Sequence, residues 1–321
     1  MKNKIAWLLN LEEQYGHLIP NPHKGIGRQL KQRLEEMGLE VKMSNDASNL
    51  GEFAVLIAGD ADPERLEQMR NYPRDRCCLI ATEPVAVIPL FHHPLASSRF
   101  GKIFTLLQNY VDNQNYFKIH HIIEQKYVVQ KGEEWPFERK KLCCMIQGNK
   151  MGHQIPGELY TERKNLALSF TYMIATNGEV FDLYGPWWDG VKSWKGVAAT
   201  GKSVLKEYKF AICYENTGDQ PGYITERIFH SLLTRNVPVY LGAPDILDYV
   251  PKECFIDARD FGGKGVEAHR KIWQFMESMD KATYEKYVEA GQDYINNNPK
   301  FKLFSVESIV NTVMNQVKKI V

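Results

Sequence analysis

Short apolar runs that alternate with segments of helical spacing are the feature that most constrains the fold of this 321-residue chain. In the first half, strands are predicted at residues 5–9, 39–43, 53–58 and 77–81, with helices at 26–37 and 63–71. In the second half, strands are predicted at 142–146, 180–184, 210–214, 237–241 and 254–256, with helices at 162–174, 225–234, 266–279, 282–296 and 305–320. This alternation predicts mostly parallel α/β sheets.

A charged segment around Trp135-Pro136 divides the two runs of elements. It predicts an N-terminal α/β domain at 1–130, a linker at 131–141 and a second α/β domain at 142–300. Two domains also suit the chain length, at about 150 residues each. The last segment, 301–321, carries an apolar stripe of Ile309, Val313 and Val317 that predicts a closing helix packed on a core. A peripheral membrane contact is the alternative for such a stripe.

The amino-acid composition indicates which binding partners and which cellular location to expect. Lys and Arg number 40 against 39 Asp and Glu, so we expect no nucleic-acid partner, since such binding selects a basic surface. The six cysteines form no CxxC pair, and we interpret them as buried, reduced thiols. With no recognisable signal peptide, this predicts a cytoplasmic location. No run approaches the roughly 20 apolar residues of a membrane span.

Three short motifs have competing interpretations. Residues 196–203, GVAATGKS, satisfy the phosphate-loop pattern, but residues 190–195 make a poor buried strand, so we interpret the match as chance and keep an ATPase or kinase as the alternative. Asp60 and Asp62 form a DxD triplet that could hold a cation, although Asp62 before Pro63 is better explained as a helix cap. The pairs His92-His93 and His120-His121 are interpreted as loop histidines.

Residues 209–261 concentrate the chemical signal. The strand at 210–214 ends in Glu215 and Asn216, and a glycine-containing turn leads into a helix that Thr225 can cap. The N–H groups of that helix start, with Arg227 and the hydroxyl of Tyr223, predict an anion site.

A second open loop follows the strand at 237–241 and begins with Gly242. The carboxyl ends of neighbouring parallel strands lie at one edge of a sheet, so a phosphate-bearing ligand is expected between the two loops. A plain strand–helix–strand unit with a capped helix is the alternative.

Several segments of this stretch carry a family resemblance. They are YKFAICYEN (208–216), PGYITERIF (221–229), VPVYLGAP (237–244), YVPK (249–252) and FIDARDF (255–261). In this order they resemble the donor-binding half of the α-1,3/4-fucosyltransferase family. The resemblance extends to Arg163 and to residues 182–185, and more weakly to 81–84 and 103–105.

The resemblance implies a GT-B-like fold with two Rossmann-like α/β domains facing a central cleft, 1–130 on the acceptor side and 142–300 binding a GDP-sugar. It implies inverting transfer of L-fucose from GDP-fucose to a GlcNAc hydroxyl, α-1,3 or α-1,4, of an N-acetyllactosamine-type glycan. No cofactor or metal is expected to be required. A transferase for another GDP-sugar and a non-catalytic GDP-sugar binder are the alternatives. The sequence does not define the oligomeric state.

The resemblance also assigns roles to single residues. Glu83 corresponds to the family's proposed general base, and Arg163 and Arg227 are expected to face the diphosphate. Tyr223 and Glu226 are expected to contact the diphosphate and a sugar. The catalytic set is Glu83, Arg163 and Glu226; the donor-binding set is Arg163, Glu215, Asn216, Tyr223, Thr225, Glu226, Arg227 and Gly242. Many bacterial family members have lysine where this chain has Arg227. The positive charge is kept, but a planar guanidinium with several N–H groups stands in place of a compact ammonium group.

Overall fold

The structure is a computed structural model that describes residues 4–9, 11, 23–123, 128–198 and 201–321. The chain divides into two compact units. The first comprises Met1–Ile122 with Leu303–Val321, and the second comprises Ile123–Lys302. Within the described ranges, no helix combines the length and the apolar character that crossing a membrane requires.

The first unit is built on a six-stranded parallel sheet. Its strands are β1 (Ile5–Leu9), β2 (Glu40–Ser44), β3 (Val55–Ala58), β4 (Cys77–Ala81), β5 (Lys102–Thr105) and β6 (Tyr116–Lys118), in the spatial order β2-β1-β3-β4-β5-β6. Its helices are α1 (His23–Glu36), α2 (Pro63–Gln68), α3 (Pro94–Arg99) and α8 (Val306–Val317). The final helix α8 packs on α1, and its stripe of Ile309, Val313 and Val317 is buried as predicted.

The second unit is built on a five-stranded parallel sheet. Its strands are β7 (Lys141–Ile146), β8 (Phe181–Tyr184), β9 (Tyr208–Tyr214), β10 (Val237–Leu241) and β11 (Ile256–Asp257), in the order β11-β10-β9-β7-β8. Its helices are α4 (Tyr160–Thr171), α5 (Glu226–Leu233), α6 (Val266–Ser278) and α7 (Lys281–Asn297). The strand order reverses between β7 and β9, which is where sheets of this kind bind ligands.

Burial explains why these runs became central strands. Every residue of β3, β4 and β10 is buried, so both faces of the sheets are covered and continuous apolar runs suit them. All six cysteines are buried thiols outside any disulfide bond, as predicted. Burial raises the pKa of the Cys78 thiol to about 12 and that of Cys143 well above its ordinary value.

The structure corrects several predicted elements. Strands β5 and β6 were not predicted as strands, and the strand expected at 254–256 is a 3-10 turn containing Cys254 followed by the short β11. The helix expected at 162–174 begins at Tyr160 and ends at Thr171. Ile174 pairs instead with Val180 in an isolated antiparallel bridge. The helix expected at 63–71 changes to a 3-10 turn after Gln68.

Candidate nucleotide-sugar site

The candidate site lies at the carboxyl edge of the second sheet, where polar residues or a glycine follow three neighbouring strands. Gln147 follows β7, Glu215 and Asn216 follow β9, and Gly242 follows β10. The strand order places these positions side by side, with the reversal between β7 and β9 in the middle. The sequence therefore puts its hydrogen-bonding groups at the edge where a ligand is expected.

Glu215 is the most deeply buried carboxylate of this edge, with no exposed surface. Its two oxygens accept hydrogen bonds from the N–H of Thr225 at 2.8 Å, the hydroxyl of Thr225 at 2.7 Å and the guanidinium of Arg227 at 2.9 Å. Burial raises the pKa of this carboxyl, against the opposing effect of Arg227 and Thr225. The ion pair is thus a fixed part of the framework of the site.

The start of α5 differs from the prediction in one respect. Thr225 stands at the N-cap position, but its hydroxyl does not bond to the helix backbone. Both its hydroxyl and its N–H bind Glu215 instead, so a carboxylate of the protein already interacts with part of the expected anion site. A negative charge at a helix N-terminus is stabilised by the helix dipole, which explains the arrangement.

The side chain of Asn216 hydrogen-bonds to three other predicted donor-binding residues. Its side-chain oxygen accepts from Arg163 at 2.9 Å and from Arg227 at 3.2 Å, and its amide nitrogen donates to the Tyr223 hydroxyl at 2.9 Å. Two guanidinium groups on different helices therefore converge on one neutral amide. The structure brings together Arg163, Glu215, Asn216, Tyr223, Thr225 and Arg227 in one hydrogen-bond network.

Arg163 has an unusual environment for a cation. Only 5% of it is exposed, and within the described part of the chain no carboxylate lies at ion-pair distance from it. Burial, together with the neighbouring Arg227, lowers the pKa of Arg163 to about 10. Its guanidinium also lies 4.1 Å from the ring centroid of Tyr160. A buried guanidinium without an acidic partner is costly unless an anion binds to it.

Main-chain hydrogen bonds fix Arg163 next to Asn216. The N–H of Leu159, just before α4, donates to the carbonyl of Asn216 at 2.9 Å. The N–H of Gly218 donates to the carbonyl of Gly157 at 2.8 Å. Gly157 has a φ of +85°, and a Cβ there would overlap with the Asp219 carboxylate, so only glycine fits.

A buried hydrogen-bond contact anchors the other side of α4. Oε1 of Glu162 lies 2.5 Å from Nε2 of His269 and accepts the N–H of Gly265 at 2.9 Å. Nδ1 of His269 lies 3.0 Å from the hydroxyl of Ser169. These contacts tie α4 to the beginning of α6, and Arg163 is the neighbour of Glu162 along the chain.

The loop after β10 closes against the same network. A Cβ on Gly242 would overlap with Cγ of Glu215 and the hydroxyl of Tyr240, so the close approach requires glycine. Arg259 donates to the carbonyls of Gly242 and Ala243, which holds this loop in place. Arg259 also pairs with Asp257 at 3.2 Å.

The two remaining predicted site residues have well-defined positions in the chain. Glu226 is the first residue of α5, and electrostatic repulsion from it contributes to the raised pKa of Glu215. Glu83 is half-buried and lies two residues beyond β4, at the carboxyl edge of the first sheet. Its role as a base stays a prediction.

The competing motifs have structural explanations. Asp62 accepts the N–H of Arg65 at 2.8 Å as the cap of α2, and Asp60 pairs with Arg65 at 3.0 Å, which confirms the cap interpretation. His92 is buried in a 3-10 turn, with Nε2 2.7 Å from the Thr105 hydroxyl, and burial lowers its pKa to about 4. His92 is therefore a core residue, contrary to the loop interpretation.

The phosphate-loop pattern lies partly outside the described residues, at 199–200. In the described part, β8 ends at Tyr184, well before Gly196, and Gly201–Glu207 forms a 3-10 helix. A phosphate loop needs a strand running into its first glycine and an α-helix after its last residue. The pattern therefore does not occur in the structural context that its chemistry requires.

Sequence reasoning missed Gln147, Arg259, Glu162 and His269. Gln147 follows an apolar run just as Glu215 does, so the same signal could have found it. Arg259 lies inside a quoted segment but carried no assigned role. The contact between Glu162 and His269 joins residues 107 positions apart, and no periodic pattern in the sequence predicts it.

Comparisons with known proteins show sequence similarity mainly in the second unit. Residues 169–313 match the family model described as glycosyltransferase family 10 (fucosyltransferase) C-term. A 59-residue stretch is 40% identical to an α-(1,4)-fucosyltransferase of Arabidopsis thaliana and covers 18% of this chain and 14% of that protein. A 58-residue stretch is 40% identical to the α-(1,3)-fucosyltransferase FucT of Helicobacter pylori and covers 18% of this chain and 12% of that protein. The aligned parts are thus small fractions of these relatives.

Solved structures match over nearly the whole chain. A crystal structure of α1,3-fucosyltransferase has a TM-score of 0.62 at 11% identity, covering 98% of this chain and 90% of that chain. A crystal structure of α1,3-fucosyltransferase with GDP-fucose has a TM-score of 0.55 at 12% identity, covering 98% and 90%. At such identities the likeness establishes the fold alone, and the predicted GT-B-like α/β fold is confirmed. Residues 169–313 thus match the C-terminal part of glycosyltransferase family 10, which confirms the resemblance to fucosyltransferases.

Proposed function

We propose that this chain is an inverting glycosyltransferase that moves L-fucose from GDP-fucose to a GlcNAc hydroxyl, α-1,3 or α-1,4, of an N-acetyllactosamine-type glycan. The observation that carries the proposal is Arg163, a buried guanidinium without a carboxylate partner in the described residues, held beside Arg227 at the sheet reversal. A diphosphate would supply the missing negative charge. The family match of 169–313 and the fold shared with a fucosyltransferase whose structure contains GDP-fucose support the choice of donor.

The leaving group explains why two arginines are useful. As the bond between fucose and diphosphate breaks, GDP gains negative charge, and groups already oriented toward that charge stabilise the transition state. Arg163 and Arg227 are oriented in advance through Asn216. In this proposal Tyr223, Thr225 and Gly242 shape the donor pocket, and Glu226 contacts a sugar of the donor.

Glu83 acts as the base in this proposal. A carboxylate can remove the proton of an acceptor hydroxyl as that oxygen attacks the anomeric carbon, and such positioned bases typically supply about 10²–10⁴ in rate. The first unit, which carries Glu83 at its carboxyl edge, is assigned to the acceptor, and the second unit to the donor. Attack opposite to the departing GDP inverts the configuration.

Thermal unfolding with added nucleotides tests the proposal. GDP and GDP-fucose should raise the melting temperature in a concentration-dependent way, whereas UDP and ATP should have little effect. Release of GDP from GDP-fucose with N-acetyllactosamine as the acceptor tests catalysis. Stabilisation by ATP that Lys202→Ala abolishes would favour the phosphate-loop alternative, and GDP-fucose binding without turnover would favour a sugar-nucleotide binder.

A further inference from the structure

Gln147 holds its side chain in one orientation at the carboxyl end of β7. Its Nε2 donates to the main-chain carbonyl of Tyr214 at 2.9 Å. Because a carbonyl only accepts hydrogen bonds, the amide nitrogen must face Tyr214, and the amide oxygen must face the other way. The orientation of Oε1 is therefore fixed by the neighbouring strand.

The oxygen Oε1 of Gln147 is buried, and no hydrogen-bond donor among the described residues reaches it. A buried acceptor without a donor destabilises the folded protein, and most buried polar groups in native proteins are paired. The amide thus presents one unused acceptor, pre-oriented by the hydrogen bond of its own nitrogen.

The backbone of Gln147 is equally fixed. Its N–H donates to the carbonyl of Tyr184 at 2.8 Å, and its carbonyl accepts the indole N–H of Trp188 at 2.6 Å. A Cβ on Gly185 would overlap with that same carbonyl, so β8 approaches closely there. Binding groups held on rigid strand ends lose little conformational entropy when a ligand arrives.

The position of Gln147 connects this acceptor to the proposed donor site. Its partner Tyr214 directly precedes Glu215 and Asn216, and Asn216 bonds to both arginines of the proposed diphosphate site. Strands β7 and β9 are neighbours, and neighbouring strands lie about 4.8 Å apart. Gln147 thus lies one strand away from Asn216, at the sheet reversal.

We infer that Oε1 of Gln147 accepts a hydrogen bond from a sugar hydroxyl of the bound nucleotide sugar. This inference rests on the proposed function. In a nucleotide sugar the diphosphate has a hydroxyl-bearing sugar on each side, the ribose and the transferred sugar. Both supply an O–H donor, which no described residue provides to this oxygen.

The test compares Gln147→Met with the wild-type protein by calorimetric titration of GDP and GDP-fucose. Loss of one hydrogen bond should weaken GDP-fucose binding about 3- to 10-fold. If the hydroxyl belongs to the ribose, GDP binding weakens by the same factor; if it belongs to the transferred sugar, GDP binding is unchanged. Either pattern supports the inference, and unchanged affinity for both ligands overturns it.

Gln292→Met is the matched control. Gln292 also donates its Nε2 to a main-chain carbonyl, that of Leu232 at 2.7 Å, but it lies on α7. The Gln292→Met protein should lose about as much stability as the Gln147→Met protein, but it should keep its affinity for GDP and GDP-fucose. Gln147→Asn keeps an amide and withdraws the oxygen by one methylene group, so it should weaken binding even if Gln147→Met folds poorly. If the wild-type protein binds neither GDP nor GDP-fucose, the proposed function itself is wrong. That outcome is distinguishable from failure of the inference, in which the wild type and Gln147→Met bind both ligands equally well.

Discussion

Nε2 of His269 lies 2.5 Å from Oε1 of Glu162, so a buried contact joins the first turn of α4 to the first turn of α6. The same oxygen accepts the N–H of Gly265. Arg163, which is proposed to bind the diphosphate, directly follows Glu162. The contact therefore fixes the start of the helix that carries Arg163. We call Glu162 a positioning residue, since it acts through Arg163.

Glu162→Ala tests this positioning role. It leaves His269 and the N–H of Gly265 without their acceptor, so the free energy of unfolding should fall by about 1–3 kcal/mol. GDP affinity should fall as well, because α4 loses its anchor. Urea unfolding and calorimetric titration measure the two effects.

Glu162→Gln keeps an acceptor oxygen and should recover most of the GDP affinity. Glu267→Ala on α6 is the matched control, because Glu267 is exposed and pairs only with Arg270 and Lys271 among the described residues. If Glu162→Ala loses stability but binds GDP as tightly as the wild type, Glu162 is structural only.

Arg163 and Arg227 should respond in opposite ways to replacement by methionine. Arg163→Met removes a buried charge that no carboxylate of the described residues pairs with, so the ligand-free protein should be as stable as the wild type or more stable. Its GDP affinity should fall about 10- to 100-fold through loss of charge-assisted hydrogen bonds. Arg227→Met instead leaves Glu215 buried without its counter-ion and should cost about 3 kcal/mol. Destabilisation by Arg163→Met in the absence of ligand would contradict this account.

Glu83→Gln should separate chemistry from donor binding. If Glu83 is the base, turnover should fall by more than about 100-fold while GDP affinity stays near the wild-type value. Glu52→Gln, an exposed carboxylate of the same unit, should leave both unchanged. Near-normal turnover of Glu83→Gln would show that the base lies elsewhere.

Gly242→Ala tests the close packing of the β10 loop on Glu215. The added methyl group overlaps with Cγ of Glu215 and the Tyr240 hydroxyl, so the variant should lose about 1–3 kcal/mol of stability and bind GDP more weakly. Gly218→Ala is the control: its Cβ would lie 3.2 Å from a terminal methyl group of Leu159, a milder approach than the 2.4 Å contacts at Gly242. Equal effects of the two changes would argue against a special role for Gly242.

Much of the fold was predictable from the sequence because buried parallel strands are continuous apolar runs. Cys77–Ala81 and Val237–Leu241 were predicted at their observed bounds. Strand β6 was missed because its three residues, Tyr116–Lys118, are defined by pairing with β5 and not by any pattern of their own. The strand expected at 254–256 failed because Cys254 is buried in a 3-10 turn, and burial alone does not distinguish the two.

The positions of site residues were predictable where the pairing of neighbouring strands determines them. Glu215 and Asn216 follow one strand and Gly242 follows the next, so parallel pairing brings them together. Which group binds which could not be read from the sequence. The burial of Glu215 makes it a partner for Thr225 and Arg227, and the long-range contact of Glu162 with His269 depends on how α4 and α6 pack.

Lys140 gives a pH-dependent prediction in the second unit. It is only 2% exposed, and its Nζ donates to the carbonyl of Arg235 at 2.8 Å and the hydroxyl of Tyr284 at 3.0 Å. Burial lowers the pKa of Lys140 from 10.5 to about 8, partly opposed by attraction to Glu134 and assisted by repulsion from Arg235. The unfolded chain therefore binds more protons than the folded protein between these two values, and the contribution of Lys140 to the free energy of unfolding rises with pH in that window.

The difference in stability between the wild type and Lys140→Met isolates this effect. It should shift in favour of the wild type by about 1 kcal/mol from pH 7 to pH 9, measured by urea unfolding. The raised pKa of the buried thiols acts in the opposite direction but equally in both proteins, so it cancels in the comparison. Lys286→Met, at an exposed position of α7, should show no such shift. A flat difference across this range would mean that Lys140 keeps its proton in the folded protein up to pH 9.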